Sequence, residues 1–172
     1  GLLVEEAGGT ATLTRVDITG NSITGGGRIG GGIHNVGTLV MTDSLVHGNT
    51  ATGADGGGIS NLGTSTITRS SIYSNSARYG GGIHQLAGAM TIENLTISGN
   101  TASAGFGGGI ANLHAGGNFV ARLTVINSTI SGNTSGTTGR PISAFNLTTV
   151  HLNNVTIADN TAGRGGGGIH NS

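Results

Sequence analysis

Carboxylates are the side chains that would cleave a glycosidic bond by acid–base or nucleophilic chemistry, and this chain has few of them. A hydrolase of that kind needs two carboxylates beside one bond, and an eliminating enzyme needs an acid cluster for Ca²⁺ and a base. Lys is absent, and the seven acids are Glu5, Glu6, Asp17, Asp43, Asp55, Glu93 and Asp159. No two of them take the same place in neighbouring units of the repeat described below. We therefore predict no catalytic residue and a protein that is not an enzyme.

Three histidines share the context Gly-Gly-Gly-Ile-His: His34, His84 and His170. His34 and His84 would lie two repeat units apart, about 9.6 Å for strands spaced about 4.8 Å. That separation is too large for one metal ion, which lies about 2.0–2.1 Å from each ligating nitrogen. We expect the three side chains to point outward into solvent. Because the chain also has no Cys, we predict no metal and no cofactor.

Composition and charge exclude further classes of function. The spacing of Gly25–Gly30 matches a phosphate-binding G-x-G-x-x-G, but no helix is predicted after it, so the motif lacks its context. The net charge is zero, which argues against nucleic acid, because nucleic-acid binding needs a basic patch. No apolar run reaches the roughly 18 residues of a membrane span. We predict neither a nucleic-acid partner nor a membrane span.

An internal repeat organises the whole chain. Gly-Gly-Gly-Ile begins at Gly30, Gly56, Gly80, Gly107 and Gly166, and an aliphatic residue stands three positions before a recurring Asn. Successive copies of this Asn are 28, 26, 25, 33 and 27 residues apart. The recurring residues are Asn21, Asn49, Asn75, Asn100, Asn133 and Asn160.

Within each unit apolar side chains alternate with polar ones, which is typical of short β-strands. In the second unit Leu39, Met41 and Val46 would point inward, and a third strand carries Ile33. Three strands per unit predict one coil of a parallel β-helix, because a unit that cannot bury its own apolar face does so by stacking. We predict one all-β domain over residues 1–172: a single-stranded parallel β-helix of about six coils of 25–33 residues, right-handed by the crossover rule.

The recurring Asn is interpreted as a structural ladder. A turn between stacked strands leaves backbone groups that need partners, and an inward amide can bond both its own turn and its copies in the coils on either side. Each such hydrogen bond contributes about 1 kcal/mol net. We therefore expect the six asparagines to be buried one above another. A shorter second column holds Asn35, Asn61, Gln85 and Asn112.

The alternation of Gly-Gly-x-aliphatic with aliphatic-x-x-Asn resembles the polymorphic outer-membrane-protein repeats. It is also similar to the wider class of right-handed parallel β-helix repeats in secreted bacterial and archaeal surface proteins. The aromatic residue of the outer-membrane motif is Ile or Val here, so the match is to the wider class. The resemblance implies a location outside the cell or on its surface and an adhesive, structural or carbohydrate-related role.

Two surface patterns suggest further possibilities. Outward positions of one strand are rich in Thr, as at Thr10, Thr38 and Thr64, which leaves an ice-binding solenoid as one alternative. Asn-x-Ser/Thr glycosylation signals share one corner column at Asn94, Asn127 and Asn154, so glycans are possible there.

The two ends complete the functional hypothesis. Leu2, Leu3 and Val4 at one end and Ile169 at the other resemble core residues that lack a neighbouring coil. The chain is therefore either part of a longer solenoid, such as an adhesin or autotransporter-type stalk, or a subunit whose ends stack on copies of itself. We favour an extracellular structural subunit of a head-to-tail filament, with a carbohydrate-active or glycan-binding β-helix as a further alternative.

Overall fold

The computed structural model is an all-β solenoid in which the chain winds through about six stacked coils. It describes residues 1–5, 8–27, 29–113, 120–136, 140, 142–145, 148–163 and 167–171. Helices are absent from these residues, and none of them forms a helical segment suited to crossing a bilayer. Strands of successive coils pair in parallel, as the predicted β-helix requires; its right-handed winding stays a prediction.

The strands follow one another in a fixed order along each coil. The first three coils contain β1 (Leu2–Val4), β2 (Thr10–Thr14), β3 (Asp17–Thr19), β4 (Ser22–Gly27), β5 (Ile33–Asn35), β6 (Thr38–Thr42), β7 (Leu45–His47), β8 (Thr50–Ala54), β9 (Ile59–Asn61), β10 (Thr64–Thr68), β11 (Ser71–Tyr73) and β12 (Ser76–Ala77). The rest contain β13 (Ile83–Gln85), β14 (Gly88–Glu93), β15 (Thr96–Ser98), β16 (Thr101–Ala102), β17 (Ile110–Leu113), β18 (Ala121–Ile126), β19 (Thr129–Ser131), β20 (Thr134–Ser135), β21 (Ile142–Phe145), β22 (Thr149–Asn153), β23 (Thr156–Ala158) and β24 (Ile169–Asn171).

Four parallel sheets run along the solenoid axis. Sheet 1 has seven strands in the order β1-β5-β9-β13-β17-β21-β24, and sheet 2 has six in the order β2-β6-β10-β14-β18-β22. Sheet 3 contains β3-β7-β11-β15-β19-β23, and sheet 4 contains β4-β8-β12-β16-β20. A single bridge between Thr134 and Thr161 adds a sixth level to sheet 4.

The expectation of three strands per coil is therefore wrong by one. Sheet 4 directly follows the Asn column in each coil. Its inward column runs through Ile23, Ala51, Ala77, Ala102 and Ser135, and each of these residues pairs with the next. Strands of two residues, such as β12 and β16, are too short to show an alternation in sequence.

The inward columns of the other sheets agree with the predicted alternation. Leu39 pairs with Ala11 and Ser65 in sheet 2, and Val46 pairs with Ile18 in sheet 3. The central members of these columns are fully buried in one apolar cluster that runs along the axis. Burying one such aliphatic side chain contributes roughly 1.5–3 kcal/mol, so each coil is stabilised mainly by its two neighbours.

Left-handed backbone marks two corners of every coil. Between sheets 2 and 3 the corner residues have φ from 45° to 56°, and they are Arg15, Asp43, Arg69, Asn94, Asn127 and Asn154. Just before the ladder Asn the corner is Gly20, Gly48, Ser74, Gly99, Gly132 or Asp159, all with positive φ. Gly and Asn adopt this region at least cost, which explains why they recur at these positions.

Glycine is required where the chain passes close to the outer side of sheet 1. A Cβ on Gly80, which has φ of 59°, would lie 2.5 Å from the carbonyl oxygen of Ile83 and 2.8 Å from Cα of His84. A Cβ on Gly107 would lie 2.3 Å from the backbone nitrogen of Ala111. The Gly-rich segment therefore lies against the strand that follows it, and the outer side of sheet 1 is covered.

Candidate functional site

The predicted asparagine ladder is present. Asn49, Asn75, Asn100 and Asn133 are each no more than 1% exposed. Asn21 and Asn160, in the first and last coils, are only partly buried, so the expectation of burial is wrong for these two. Oδ1 of Asn75 accepts the backbone N–H and the Nδ2–H of Asn49, both at 3.0 Å. Nδ2 of Asn75 donates to the carbonyl oxygen of Val46 at 2.9 Å and to Oδ1 of Asn100 at 3.0 Å. The same set of bonds recurs in the following coils.

The ladder has a direction, so its two ends differ. At the first coil Oδ1 of Asn21 faces away from the following coil, and it accepts a hydrogen bond from the nitrogen of Gly1 at 2.9 Å. At the last coil Nδ2 of Asn160 donates to the carbonyl oxygen of Ile130 at 2.9 Å, and no later ladder Asn follows in the described chain. By the pattern of the other coils, one end offers an acceptor and the other end offers donors.

The second column is a shorter ladder with the same direction. Nδ2 of Asn35 donates to Oδ1 of Asn61 at 2.6 Å, and Nδ2 of Asn61 donates to Oε1 of Gln85 at 2.7 Å. Nε2 of Gln85 then donates to the carbonyl oxygen of Ala87 at 2.7 Å. The turn after Gln85 has one residue more than the turn after Asn61, and the additional methylene of Gln85 spans it.

Two buried acceptors in this second column have no partner, Oδ1 of Asn35 and Oδ1 of Asn112. Asn35 is 0% exposed, and its Oδ1 accepts no hydrogen bond. The preceding position in the column is Val4, which has no side-chain donor. A buried polar atom without a partner costs roughly 1–3 kcal/mol, so this end of the ladder is incomplete.

The residues predicted to form assembly ends lie at the edges of sheet 1. Leu2 pairs with Ile33 and Val4 with Asn35, so both belong to inward columns, whereas Leu3 pairs with His34 in the outward one. Leu3 is 52% exposed. At the other end Ile169 continues the inward Ile column and is 46% exposed.

Hollows are found at both open coils. One of about 380 Å³ at the first coil is lined by Leu2, Leu13, Val16 and Ile18. Another of about 360 Å³ at the last coil is lined by Val150, Leu152, Ile169 and Asn171. The apolar walls of both hollows belong to inward core columns. The hollows therefore lie where a further coil would stack.

The expectation of solvated histidines is wrong for His84, which is only 2% exposed. The outward column contains Leu3, His34, Ser60, His84, Ala111, Ser143 and His170, and the Gly-rich segment covers it. Burial lowers the pKa of His34, although Glu5 acts in the opposite direction. The pKa of His170 is also lowered, by burial and then by Arg140.

A buried carboxylate lies beside His84. Asp55 is 2% exposed, and its oxygens accept hydrogen bonds from Nε and Nη2 of Arg78 at 3.0 and 3.3 Å. Nδ1 of His84 lies 3.7 Å from Oδ2 of Asp55. The Arg78 guanidinium also lies 4.7 Å from the centre of the Tyr79 ring. Since both Asp55 and His84 are enclosed, this cluster joins the second and third coils and is closed to a substrate.

Aromatic rings continue from this cluster along the axis. Tyr79 and Phe106 have ring centres 5.6 Å apart, Phe106 and Phe145 are 4.9 Å apart, and Phe145 and His170 are 5.0 Å apart. Sequence reasoning missed this column because only Tyr79 and Phe106 share a repeat position, directly before Gly-Gly-Gly-Ile, whereas the other two members come from different positions. The planes are inclined by 31°, 71° and 58°, so the rings pack on one another and form no flat platform for a sugar.

One surface cluster has the residue types of a hydrolytic triad. Oδ1 of Asp17 lies 3.0 Å from Nε2 of His47, and Nδ1 of His47 lies 3.2 Å from Oγ1 of Thr19. The imidazole stacks on Tyr73 with ring centres 4.5 Å apart. The nearby N–H groups of Gly20 and Gly48 already donate to carbonyl oxygens of the adjacent coil. These two N–H groups are therefore already used and do not point to an oxyanion site.

Another acid is neutralised at the corner between sheets 2 and 3. Asp43 forms a bidentate pair with Arg69, at 2.8 and 3.0 Å. This hydrogen bond is the main reason that the pKa of the Asp43 carboxyl is lowered. Within the described residues, no group of three or more His, Asp or Glu side chains is arranged to hold a metal ion.

The glycosylation signals lie on this same corner. Asn94, Asn127 and Asn154 are exposed and have left-handed backbone. Nδ2 of Asn154 donates to Oδ1 of Asn127 at 2.9 Å. A glycan on Asn154 would attach to the same Nδ2 that makes this bond, and glycosylation of the column stays a prediction.

The Thr-rich face is the outer side of sheet 2. Its first three coils place Thr10, Thr12, Thr14, Thr38, Val40, Thr42, Thr64, Thr66 and Thr68 in register. In the later coils Ala89, Glu93, Arg122, Ile126 and His151 interrupt the array. Ice binding stays a prediction for this face.

Comparisons of the chain with protein-family models, with curated proteins and with solved structures give no match.

Proposed function

We propose that this chain is a non-enzymatic structural β-solenoid that joins copies of itself head to tail along its axis. The observation that carries the proposal is the complementarity of the two ends. One end has an open apolar coil and a ladder acceptor on Asn21, and the other has an open apolar coil and ladder donors on Asn160.

The ladder direction determines which ends meet. If the last coil of one copy stacks on the first coil of the next, the N–H and Nδ2–H of Asn160 meet Oδ1 of Asn21, as Asn133 meets Asn160 within the chain. Two like ends would bring donor to donor or acceptor to acceptor. A contact between unlike ends leaves a free end on each copy, which generates fibres unless the rotation closes a ring.

Apolar burial supplies the driving force. The open coils expose Ile169, leave inward residues such as Leu13 and Leu152 only partly buried, and leave the edges of all four sheets unpaired within the described chain. Removing apolar surface from water contributes about 25 cal/mol per Å², and unpaired strand edges recruit further strands. The zero net charge opposes association only weakly.

A location outside the cell or at its surface is part of the proposal. It rests on the resemblance of the repeats to those of polymorphic outer-membrane proteins and other secreted β-helix proteins. Fractionation of the producing cells with an antibody to the solenoid tests it. Recovery of the protein in the surface or external fraction is expected, and recovery only in the cell interior would contradict this part.

Sedimentation velocity over a range of protein concentrations tests the assembly. We expect the unmodified chain to form large species whose proportion rises with concentration. Ile169→Lys places a charge in the inward column of the open end and should give monomers. Leu45→Lys is the matched control, because Leu45 is 38% exposed on the lateral surface, and it should assemble normally.

Two outcomes would overturn the proposal. One is an unmodified chain that remains monomeric at the highest concentration. The other is assembly that Leu45→Lys abolishes as completely as Ile169→Lys does, because the contact would then be lateral.

A further inference from the structure

Sheet 1 has one strand too many for continuous head-to-tail stacking. It has seven strands, whereas sheets 2 and 3 have six, because both β1 and β24 belong to it. If β22 of one copy stacks directly on β2 of the next, β24 of the first copy and β1 of the second require the same level of sheet 1. Either one of these strands leaves or sheets 2 and 3 have a gap at the joint.

The sequences of the two competing strands are not equivalent. The strand β24 reads Ile169-His170-Asn171, which is identical to β5, Ile33-His34-Asn35. Both carry an inward Ile followed two residues later by an inward polar side chain. The strand β1 reads Leu2-Leu3-Val4 and occupies the same columns without the polar group. By its side chains, β24 fits a level of sheet 1 better than β1 does.

The unpartnered Oδ1 of Asn35 indicates which strand belongs beside β5. In this ladder Asn35 and Asn61 each donate to the amide of the following coil, so by the same pattern Oδ1 of Asn35 would accept from the strand before it. Val4 of β1 provides none. Asn171 of β24 would stand in the place of Val4, and its Nδ2 would donate to Oδ1 of Asn35.

Removal of β1 would also prepare the main ladder for the joint. The nitrogen of Gly1 occupies Oδ1 of Asn21, which is the acceptor that Asn160 of a preceding copy requires. When β1 leaves, this bond breaks and the acceptor becomes available. The strand β1 therefore stands in the way of both ladders. Gly1 holds the acceptor of Asn21, and Val4 lies where a donor to Asn35 would stand.

We propose that β24 of one copy displaces β1 of the next and pairs with its β5 when two copies join. This inference rests on the head-to-tail association proposed above and specifies its contact. A strand replaces a strand of equal length, so the main-chain hydrogen bonds of β5 are conserved. The exchange adds a bond to Asn35 and allows sheets 2, 3 and 4 to continue across the joint.

A reversible lock on β1 tests the exchange. Leu3 and His34 are register partners in adjacent strands, where a spacing of about 4.8 Å lies within the roughly 4.4–6.8 Å between Cα atoms that a disulfide spans. The chain has no Cys, so Leu3→Cys with His34→Cys creates a single disulfide. We expect the oxidised variant to remain monomeric in sedimentation and the reduced variant to assemble.

Controls separate the exchange from the association itself. His34→Cys alone should assemble in both redox states, which excludes an effect of the oxidant. Assembly of the oxidised double variant to the same extent as the reduced one would overturn the exchange and leave head-to-tail stacking intact. Failure of the unmodified chain to assemble would overturn both.

Thiol cross-linking between copies identifies the new neighbour of β24. With exchange, residue 170 of one copy lies opposite residue 34 of the next, so His170→Cys copies mixed with His34→Cys copies should give a covalent dimer. Without exchange, residue 170 would lie opposite residue 3, and His170→Cys should cross-link to Leu3→Cys instead. The second result would overturn the proposal.

Discussion

At the scale of single residues, an amide is the only side chain that satisfies the demands of the ladder position. Oδ1 of Asn100 accepts two hydrogen bonds from Asn75, while its Nδ2 donates to Ile72 and Asn133. Asp would supply no donors, and Ala would leave buried backbone groups without partners. Asn is therefore required at this position because buried backbone groups need hydrogen-bond partners, and not because of its volume.

Asn100→Ala should lower the free energy of unfolding by about 1–3 kcal/mol, because buried partners lose their hydrogen bonds. Chemical denaturation measures the change, with the monomeric Ile169→Lys background keeping assembly out of the measurement. Asn153→Ala, at an exposed position of strand β22, is the control and should be close to neutral. Equal effects of the two substitutions would contradict the ladder.

Val4→Asn and Val4→Ala together test the unpartnered acceptor of the second ladder. Both variants lose the burial of Val4, which is 6% exposed, but Nδ2 of the new amide would donate to Oδ1 of Asn35, so we expect Val4→Asn to be the more stable of the two by about 1 kcal/mol, measured in the same background. Introduced without Ile169→Lys, Val4→Asn should also assemble more slowly than Val4→Ala, because β1 would be held more firmly. Equal stabilities and equal assembly rates of the two variants would be evidence against this role of the acceptor.

At the scale of elements, the corners and the covered side of sheet 1 depend on backbone conformation. The Gly-rich segment approaches the next strand so closely that a methyl group at Gly80 has no space. By contrast, a Cβ on Gly26 meets no atom within 4 Å.

Gly80→Ala should therefore destabilise the fold by about 1–3 kcal/mol, through contact with Ile83 and His84 and through its positive φ. Gly26→Ala is the matched control and should change the melting temperature little. Similar melting temperatures for the two variants would show that the segment does not lie against sheet 1.

The covered side of sheet 1 also predicts a dependence on pH. The pKa of His34 is lowered by burial from its ordinary value of 6.5, so the unfolded chain binds a proton more readily than the folded one does. The titration of His34 has no effect on the stability of the folded protein well above pH 6.5. As the pH decreases through 6.5 towards the lowered pKa of the folded state, the stability of the folded protein falls. Denaturation between pH 5 and 8 should show a weaker decrease for His34→Gln than for the unmodified chain.

The inward columns of sheets 1, 2 and 3 and the whole Asn ladder could be predicted, because alternation and spacing repeat in every coil. Three features could not. The strands of sheet 4 are too short to alternate visibly. The burial of His84 depends on a loop folding over a strand, and the aromatic column joins residues from different repeat positions. Each of these depends on contacts between units that a single unit does not encode.

At the scale of the whole molecule, the solenoid is a stack with a direction. The ladders, the open apolar coils and the extra strand of sheet 1 all distinguish one end from the other. In the proposed head-to-tail assembly, these features would favour addition of copies along the axis over lateral association and would set the height that each copy adds.

Electron microscopy of the purified unmodified chain with helical reconstruction tests the central claim most directly. The account predicts unbranched filaments with strands perpendicular to the axis at about 4.8 Å and a rise per copy of about 29 Å, the height of six coils. A rise of about 34 Å, or seven strand spacings, would indicate stacking without strand exchange. Separate particles of single-solenoid length at high concentration would contradict the head-to-tail account.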